Sequence, residues 1–296
     1  MATMMKAAVF VEPGRIELDD KPIPDIGPND ALIRITTTTI CGTDVHILKG
    51  EYPVAKGLTI GHEPVGVIEK LGSNVLGYEE GQRVIAGAIC PSGYSNACLD
   101  GLCSQDGQHH KHGLKPMGGW RFGNTIDGTQ ADYVLVPDAM ANLSPVPDGL
   151  TDEQVLMCPD IMSTGFSGAE RGRVRIGDAV AVFAQGPIGL CATVGARERR
   201  DDIIAVDRVA ERLSRGGSGR TTSSTSRRSI PWTRACASPM AGASMWPLRR
   251  WALRRRSKPR FVSCGQGDGC RVLASIQATS RYRSVRSLPG SVTTPS

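Results

Sequence analysis

Long apolar runs, internal repeats and regularly spaced cysteines are all absent from this chain of 296 residues. No stretch approaches the roughly 20 apolar residues that a membrane-spanning helix needs, which argues against a membrane partner. The opening MATMMKAAVF carries one Lys and passes straight into the alternating segment Lys6 to Leu18, so it reads as a first strand rather than a secretory leader. With no export signal, nine irregularly placed Cys favour metal ligation and free thiols over a disulfide framework, and the expected compartment is the cytoplasm. Acidic residues are nearly missing from the last third. Residues 1–207 hold 17 Lys and Arg against 27 Asp and Glu, a net charge of −10, whereas residues 208–296 hold 18 against 2, a net charge of +16. What is present suffices for two domains: 40% of the chain is apolar, ample for a core in the first 210 or so residues.

Short β-rich runs dominate the first half: AAVFVE, IELDD, ALIRITTTTI, EPVGVIEKLG, QRVIAGAI and ADYVLV, punctuated by Pro/Gly clusters such as Ile26-Gly27-Pro28-Asn29 and Pro147-Asp148-Gly149. Many short strands with such turns predict a barrel-like β domain. Thr151 can cap a helix whose first turn carries Asp152 and Glu153, and a second helix is expected from Ser163-Thr164. The run 178–183 (DAVAVF) has the continuous apolar character of a buried parallel strand, followed by a glycine loop, a helix and a second strand, Ile203 to Val206. The chain is therefore read as α/β.

Two constellations carry chemistry. Cys41-Gly42-Thr43-Asp44-Val45-His46 precedes Thr59-Ile60-Gly61-His62-Glu63, which offers a thiolate, an imidazole and a carboxylate to one zinc ion; such mixed donors suit zinc in tetrahedral geometry. Cys41 and His62 are the leading ligands, Glu63 can ligate transiently or support them, and Asp160 is the candidate third ligand. Cys158 competes with Asp160, and a Pro-Asp pair is also an ordinary turn or cap. The second constellation is the loop Ala184-Gln185-Gly186-Pro187-Ile188-Gly189, which follows a strand and opens a helix whose N–H groups can cradle a pyrophosphate. Asp207, at the end of the next strand, can accept both ribose hydroxyls and would repel a 2′-phosphate, favouring NAD over NADP.

These motifs resemble the zinc-dependent alcohol dehydrogenases of the medium-chain dehydrogenase/reductase family, in particular their secondary-alcohol branch, and the resemblance is dense from Lys6 to about Leu213. It implies a GroES-like catalytic domain over residues 1–162 and the first part of a Rossmann cofactor domain over 163–213. It implies one catalytic zinc held by Cys41, His62 and Asp160, and hydride transfer between NAD and a small alcohol, with the aldehyde or ketone as its partner. The family's Thr43 accepts the alcohol proton and His46 passes it towards bulk water. Trp120 matches a pocket-lining aromatic. Relatives often carry a structural zinc lobe where this chain has Cys90, Cys98 and Cys103 followed by His109, His110 and His112; the compact four-Cys spacing is absent, so a second ion is not expected. The family's first loop glycine is Ala184 here. The family is homo-oligomeric through strands that this chain does not supply.

Residues 214–296 are rich in Arg and Ser, lack any period that would bury a face, and are expected to be disordered. Taken at face value they would form a basic nucleic-acid arm, yet they contain no recognisable binding fold. When their permitted codons are read one base earlier, Gly219 to Ser226 allow GADHVVDF, Met240 to Ala252 allow DGRGVDVAIEALG, and Cys264 to Ser280 allow LRPGGRLSSLGVYSSDL. All three strings are expected in the second half of a dehydrogenase cofactor domain. A one-base frameshift close to Leu213 is inferred, so Cys236, Cys264 and Cys270 carry no site. The alternative to an active enzyme is an inactive, frameshifted product that retains only the zinc-binding domain.

Overall fold

The computed structural model describes residues 3–108, 113–173, 179–198, 203–215, 262–263 and 270–274. Strands β1 (Met4–Glu12) and β2 (Arg15–Pro22) pair as an antiparallel hairpin. Strands β3 (Ala31–Thr38), β4 (Pro64–Leu71), β5 (Arg83–Ala86), β6 (Tyr133–Val136) and β7 (Leu143–Pro145) form an antiparallel sheet in the order β6-β3-β4-β5-β7. Alternation along these strands points Ile33, Ile68, Val84, Val134 and Val136 into one core with Phe122. Three short helices decorate the loops: α1 (Gly42–Leu48), α2 (Asn96–Leu99) and α3 (Ala139–Asn142).

The register of β3 against β4 positions the site. Thr38 pairs with Pro64 at the end of the ladder, so the chain leaving β3 towards Cys41 lies beside the chain entering β4 from His62 and Glu63. Of the two register shifts in this pair, the one at Ile35/Thr37 lies near that end and bends it, while the one at Leu32/Ile33 lies at the far end of β3. Beyond the sheet, Thr151 caps helix α4 (Asp152–Val155), its hydroxyl accepting from the Gln154 N–H at 3.4 Å. A π-helical turn, Cys158–Met162, then runs directly into α5 (Ser163–Arg171). The Ala88 N–H donates to the Pro159 carbonyl at 3.1 Å and pins that turn beside the end of β5.

A second sheet begins with β8 (Ala179–Phe183), α6 (Pro187–Arg197), β9 (Ile203–Val206) and α7 (Ala210–Arg215), β8 and β9 being parallel as the apolar runs predict. Ala169 of α5, Val180, Val182, Ala192, Ala196 and Ile203 form its core. Asp178 lies outside the described residues. Two tail segments, β10 (Val262–Ser263) and β11 (Cys270–Ala274), complete the order β10-β11-β8-β9, with β11 parallel to β8. A uniformly unstructured tail is thus corrected at these segments. One strand-helix-strand unit leaves the outer edge of β8 with unpaired backbone groups, and an extended stretch of chain satisfies them whatever its origin. The segments 219–226 and 240–252 lie outside the described residues. Among the described residues, no helix is long and apolar enough to cross a membrane.

Candidate metal centre

Cys41 is the N-cap of α1. Its N–H donates to Asp44 Oδ2 at 2.8 Å, and the same oxygen accepts from Gln130 Nε2 at 3.0 Å. Gly61, immediately before His62, has φ +94, and a Cβ there would lie 2.6 Å from the Gln130 side chain and 2.8 Å from its backbone nitrogen. Only glycine therefore lets the chain turn His62 inward at this approach. His62 and Glu63 are buried, at 4% and 0% exposure. One ligand atom from each of Cys41, His62, Glu63 and Asp160 falls within 4.8 Å of the others. His62 Nε2 is 3.5 Å from Asp160 Oδ2 and 3.6 Å from Glu63 Oε1.

The electrostatics of this cluster call for a cation. Burial pushes the Glu63 and Asp44 carboxyls up. Both Glu63 oxygens and Asp44 Oδ1 are buried without a hydrogen-bond partner. Burial opposes a charge on His62, but its contacts with Asp160 and Cys41 and the field of Asp44 outweigh it and raise the imidazole to about 10. Burial also works against the charge of Asp160, yet His62 and Thr164 hold it below the usual carboxylate range. A sulfur, a nitrogen and carboxylate oxygens converging here, both Glu63 oxygens among them without a partner, form a donor set that suits zinc.

Around the cluster, Thr43 Oγ1 sits 3.7 Å from Cys41 Sγ. His46 Nδ1 pairs with the Glu51 carboxylate, and its ring meets Tyr52 edge-on at 5.7 Å. Tyr52 in turn meets Trp120 at 5.5 Å, and both pack against Phe10, Ile47 and Ile60. Cys158 is not among the gathered donors; its Sγ lies 3.8 Å from Met162 Sδ. Cys90 is fully buried, and burial pushes its thiol up to about 12, while Cys98 lies 4.0 Å from Ser92 Oγ. His109, His110 and His112 lie outside the described residues.

In the nucleotide-type loop, Gly186 is the N-cap of α6, with Pro187, Ile188 and Gly189 in its first turn. Ala184 adopts φ +67, and a Cβ on Gly189 would stand 1.7 Å from the Ala184 carbonyl oxygen. The methyl of Ala184 thus occupies a backbone region that favours glycine. Asp207 Oδ2 accepts from the Gln185 N–H at 2.6 Å and its Oδ1 from the Val209 N–H at 2.9 Å, so this carboxylate clasps the loop to the end of β9. Burial opposes the Asp207 charge, but these backbone donors keep it low. Gln185 is itself fully buried, donating to the Val182 carbonyl and accepting from Thr193 Oγ1 at 3.0 Å. Sequence reasoning missed Asp44, Thr164 and Gln185; only Asp44, the third helical residue after a cap, left a readable signal.

Residues 27–148 match the alcohol dehydrogenase GroES-like domain. An alcohol dehydrogenase of Cupriavidus necator is 75% identical over 221 residues, covering 72% of this chain and 60% of that protein. A medium chain reductase/dehydrogenase of an Acremonium species, ucsI, is 33% identical over 221 residues, covering 71% of this chain and 72% of its own length. An NADP-dependent isopropanol dehydrogenase of Thermoanaerobacter brockii is 34% identical over 204 residues, covering 68% and 56% respectively. The chain belongs to the medium-chain reductase/dehydrogenase family. It spans 60% of the length of the Cupriavidus relative.

Proposed function

We propose that this chain carries the alcohol- and metal-binding half of a zinc- and NAD-dependent dehydrogenase of small secondary alcohols and their ketone or aldehyde partners. The observation that carries this reading is the convergence of Cys41, His62, Glu63 and Asp160 within 4.8 Å around buried, unpartnered Glu63 oxygens. Cys41, His62 and Asp160 would hold the ion, with Glu63 close enough to take the remaining position when no substrate is there. Zinc bound at these residues supplies a Lewis acid that lowers the pKa of an alcohol hydroxyl and favours loss of hydride from its carbon. Thr43, whose hydroxyl lies beside Cys41 Sγ, would accept the hydroxyl proton. His46 has Nδ1 engaged by Glu51, which leaves Nε2 to carry that proton outward. Asp207 supports NAD over NADP, because a 2′-phosphate would meet a buried carboxylate held ionised. The test is zinc content together with turnover of propan-2-ol in the presence of NAD or NADP. One zinc per chain and NAD-dependent acetone formation are expected; a zinc-loaded chain that oxidises no alcohol with either nucleotide sinks the proposal for this chain.

A second reading, a product without hydride-transfer activity, is favoured by the net charge of +16 after residue 207 and by the three family-like strings recoverable in a neighbouring frame. Sequencing the gene across codons 205–220 and weighing the expressed protein separates the two. A restored base supports the enzyme, and confirmation of the present frame supports the zinc-binding remnant.

A further inference from the structure

We infer that Thr164 is a positioning residue of the metal centre, holding one oxygen of Asp160 so that the other faces the remaining donors. This rests on the proposal that Asp160 is a zinc ligand. Thr164 Oγ1 donates to Asp160 Oδ1 at 2.7 Å, while Asp160 Oδ2 faces His62 Nε2 at 3.5 Å. The two carboxylate oxygens thus have separate tasks. One is occupied by a hydroxyl, and the other points into the cluster.

The local backbone makes the contact specific. A helical Thr ordinarily returns its hydroxyl to the carbonyl four residues earlier. Here that carbonyl, on Asp160, accepts from Ser163 Oγ at 3.0 Å. Thr164 is left to bind the side chain instead, across the junction where the π-helical turn Cys158–Met162 becomes α5. Such turns widen the helix by one residue and commonly re-aim a side chain at a functional site. Two consecutive hydroxyls therefore grip Asp160, one at its backbone and one at its carboxylate. A carboxylate without the second grip can rotate, present either oxygen or chelate with both, and each alternative changes the geometry offered to the ion. Partners of metal-bound carboxylates commonly contribute about 10–100-fold in metal affinity. Thr164 is itself exposed, so water competes for its hydrogen bond and the low end of that range is expected.

The experiment compares T164V, T164A, T164S and D160N in the full chain, by chelator competition for Zn2+ and by the visible absorption spectrum of the Co2+-loaded protein. Neither readout needs nucleotide or turnover. T164V and T164A are expected to bind Zn2+ about tenfold more weakly and to shift the Co2+ bands, while T164S stays within about twofold of the parent with its spectrum intact. Should T164V fold poorly, T164A, which favours helix, carries the comparison. D160N separates the two layers of the argument. If D160N loses Zn2+ affinity but the hydroxyl-free variants match the parent, Asp160 is a ligand and the inference about Thr164 is overturned. If D160N itself binds like the parent, the ligand assignment fails and the inference falls with it.

Discussion

Ala184 holds a methyl group at φ +67, where a residue with a Cβ is about 1–2 kcal/mol less comfortable than glycine. Glycine returns part of that through its freer unfolded chain, so Ala184→Gly is expected to stabilise the β8-α6-β9 unit by about 1 kcal/mol, read as a higher thermal midpoint. Asp106 is a residue whose titration bears on stability. It is 1% exposed; burial opposes its charge, but the N–H groups of Ser92 and Gln108 and the Ser95 hydroxyl pull it down to about 2. A depressed folded-state value contributes stability that is fully present above the unfolded value near 3.8 and is lost as pH falls through about 2. Asp106→Asn should therefore cost about 2 kcal/mol in denaturant titrations at pH 7 and flatten the acid dependence between pH 4 and 2. At this scale the sequence was informative where chemistry demands a residue type at a fixed spacing. Cys41, His62 and Glu63 stood out by their motif and Asp160 through the family resemblance, and the fold brings the four together. Thr164 and Gln185 were not, because a hydroxyl or amide takes its role from whichever acceptor the fold brings to it.

At the scale of elements, Asp152 joins three of them. From the first turn of α4 it accepts from Thr36 and Thr37 of β3 and pairs with Arg83 of β5, and the Thr36 bond is the leading reason its carboxyl stays low. Asp152→Ala strands these partners, only partly reached by water, and a loss of about 1–3 kcal/mol is expected in urea unfolding of the full chain. Its neighbour Thr151 contributes only a cap, so Thr151→Ala should cost less, about 1 kcal/mol. The cap, the start of α5 and the parallel pairing of β8 with β9 followed from local patterns: a polar residue before acidic ones, and apolar runs too short for helices. Two features did not follow. The π-helical turn at Cys158–Met162 has no periodic signature, and β7 is three residues long and ends in Pro145, which reads as loop until β5 offers it an edge.

For the whole molecule, the charge asymmetry and the loss of family resemblance near Leu213 meet in the second sheet, where the described tail contributes only β10 and β11 beside β8. A chain with the frame restored should bind NAD at least about tenfold more tightly than the present chain, while both take up zinc equally; calorimetric titration of each ligand checks this, and equal NAD affinity would refute it. The antiparallel domain was legible because its strands and turns alternate clearly. The fate of the tail was not, because an unpaired strand edge accepts a neighbour on backbone geometry alone. Cys41 and Asp160 stand about 120 residues apart in the chain, the first at the exit of the antiparallel sheet and the second on the turn leading into the parallel one. An ion held by both would close that loop as a cross-link does, restricting the unfolded ensemble on the order of a disulfide of the same span, about 4–5 kcal/mol in the chain-entropy picture. Metal would then be retained as a fastener of the fold even in a product that never moves a hydride.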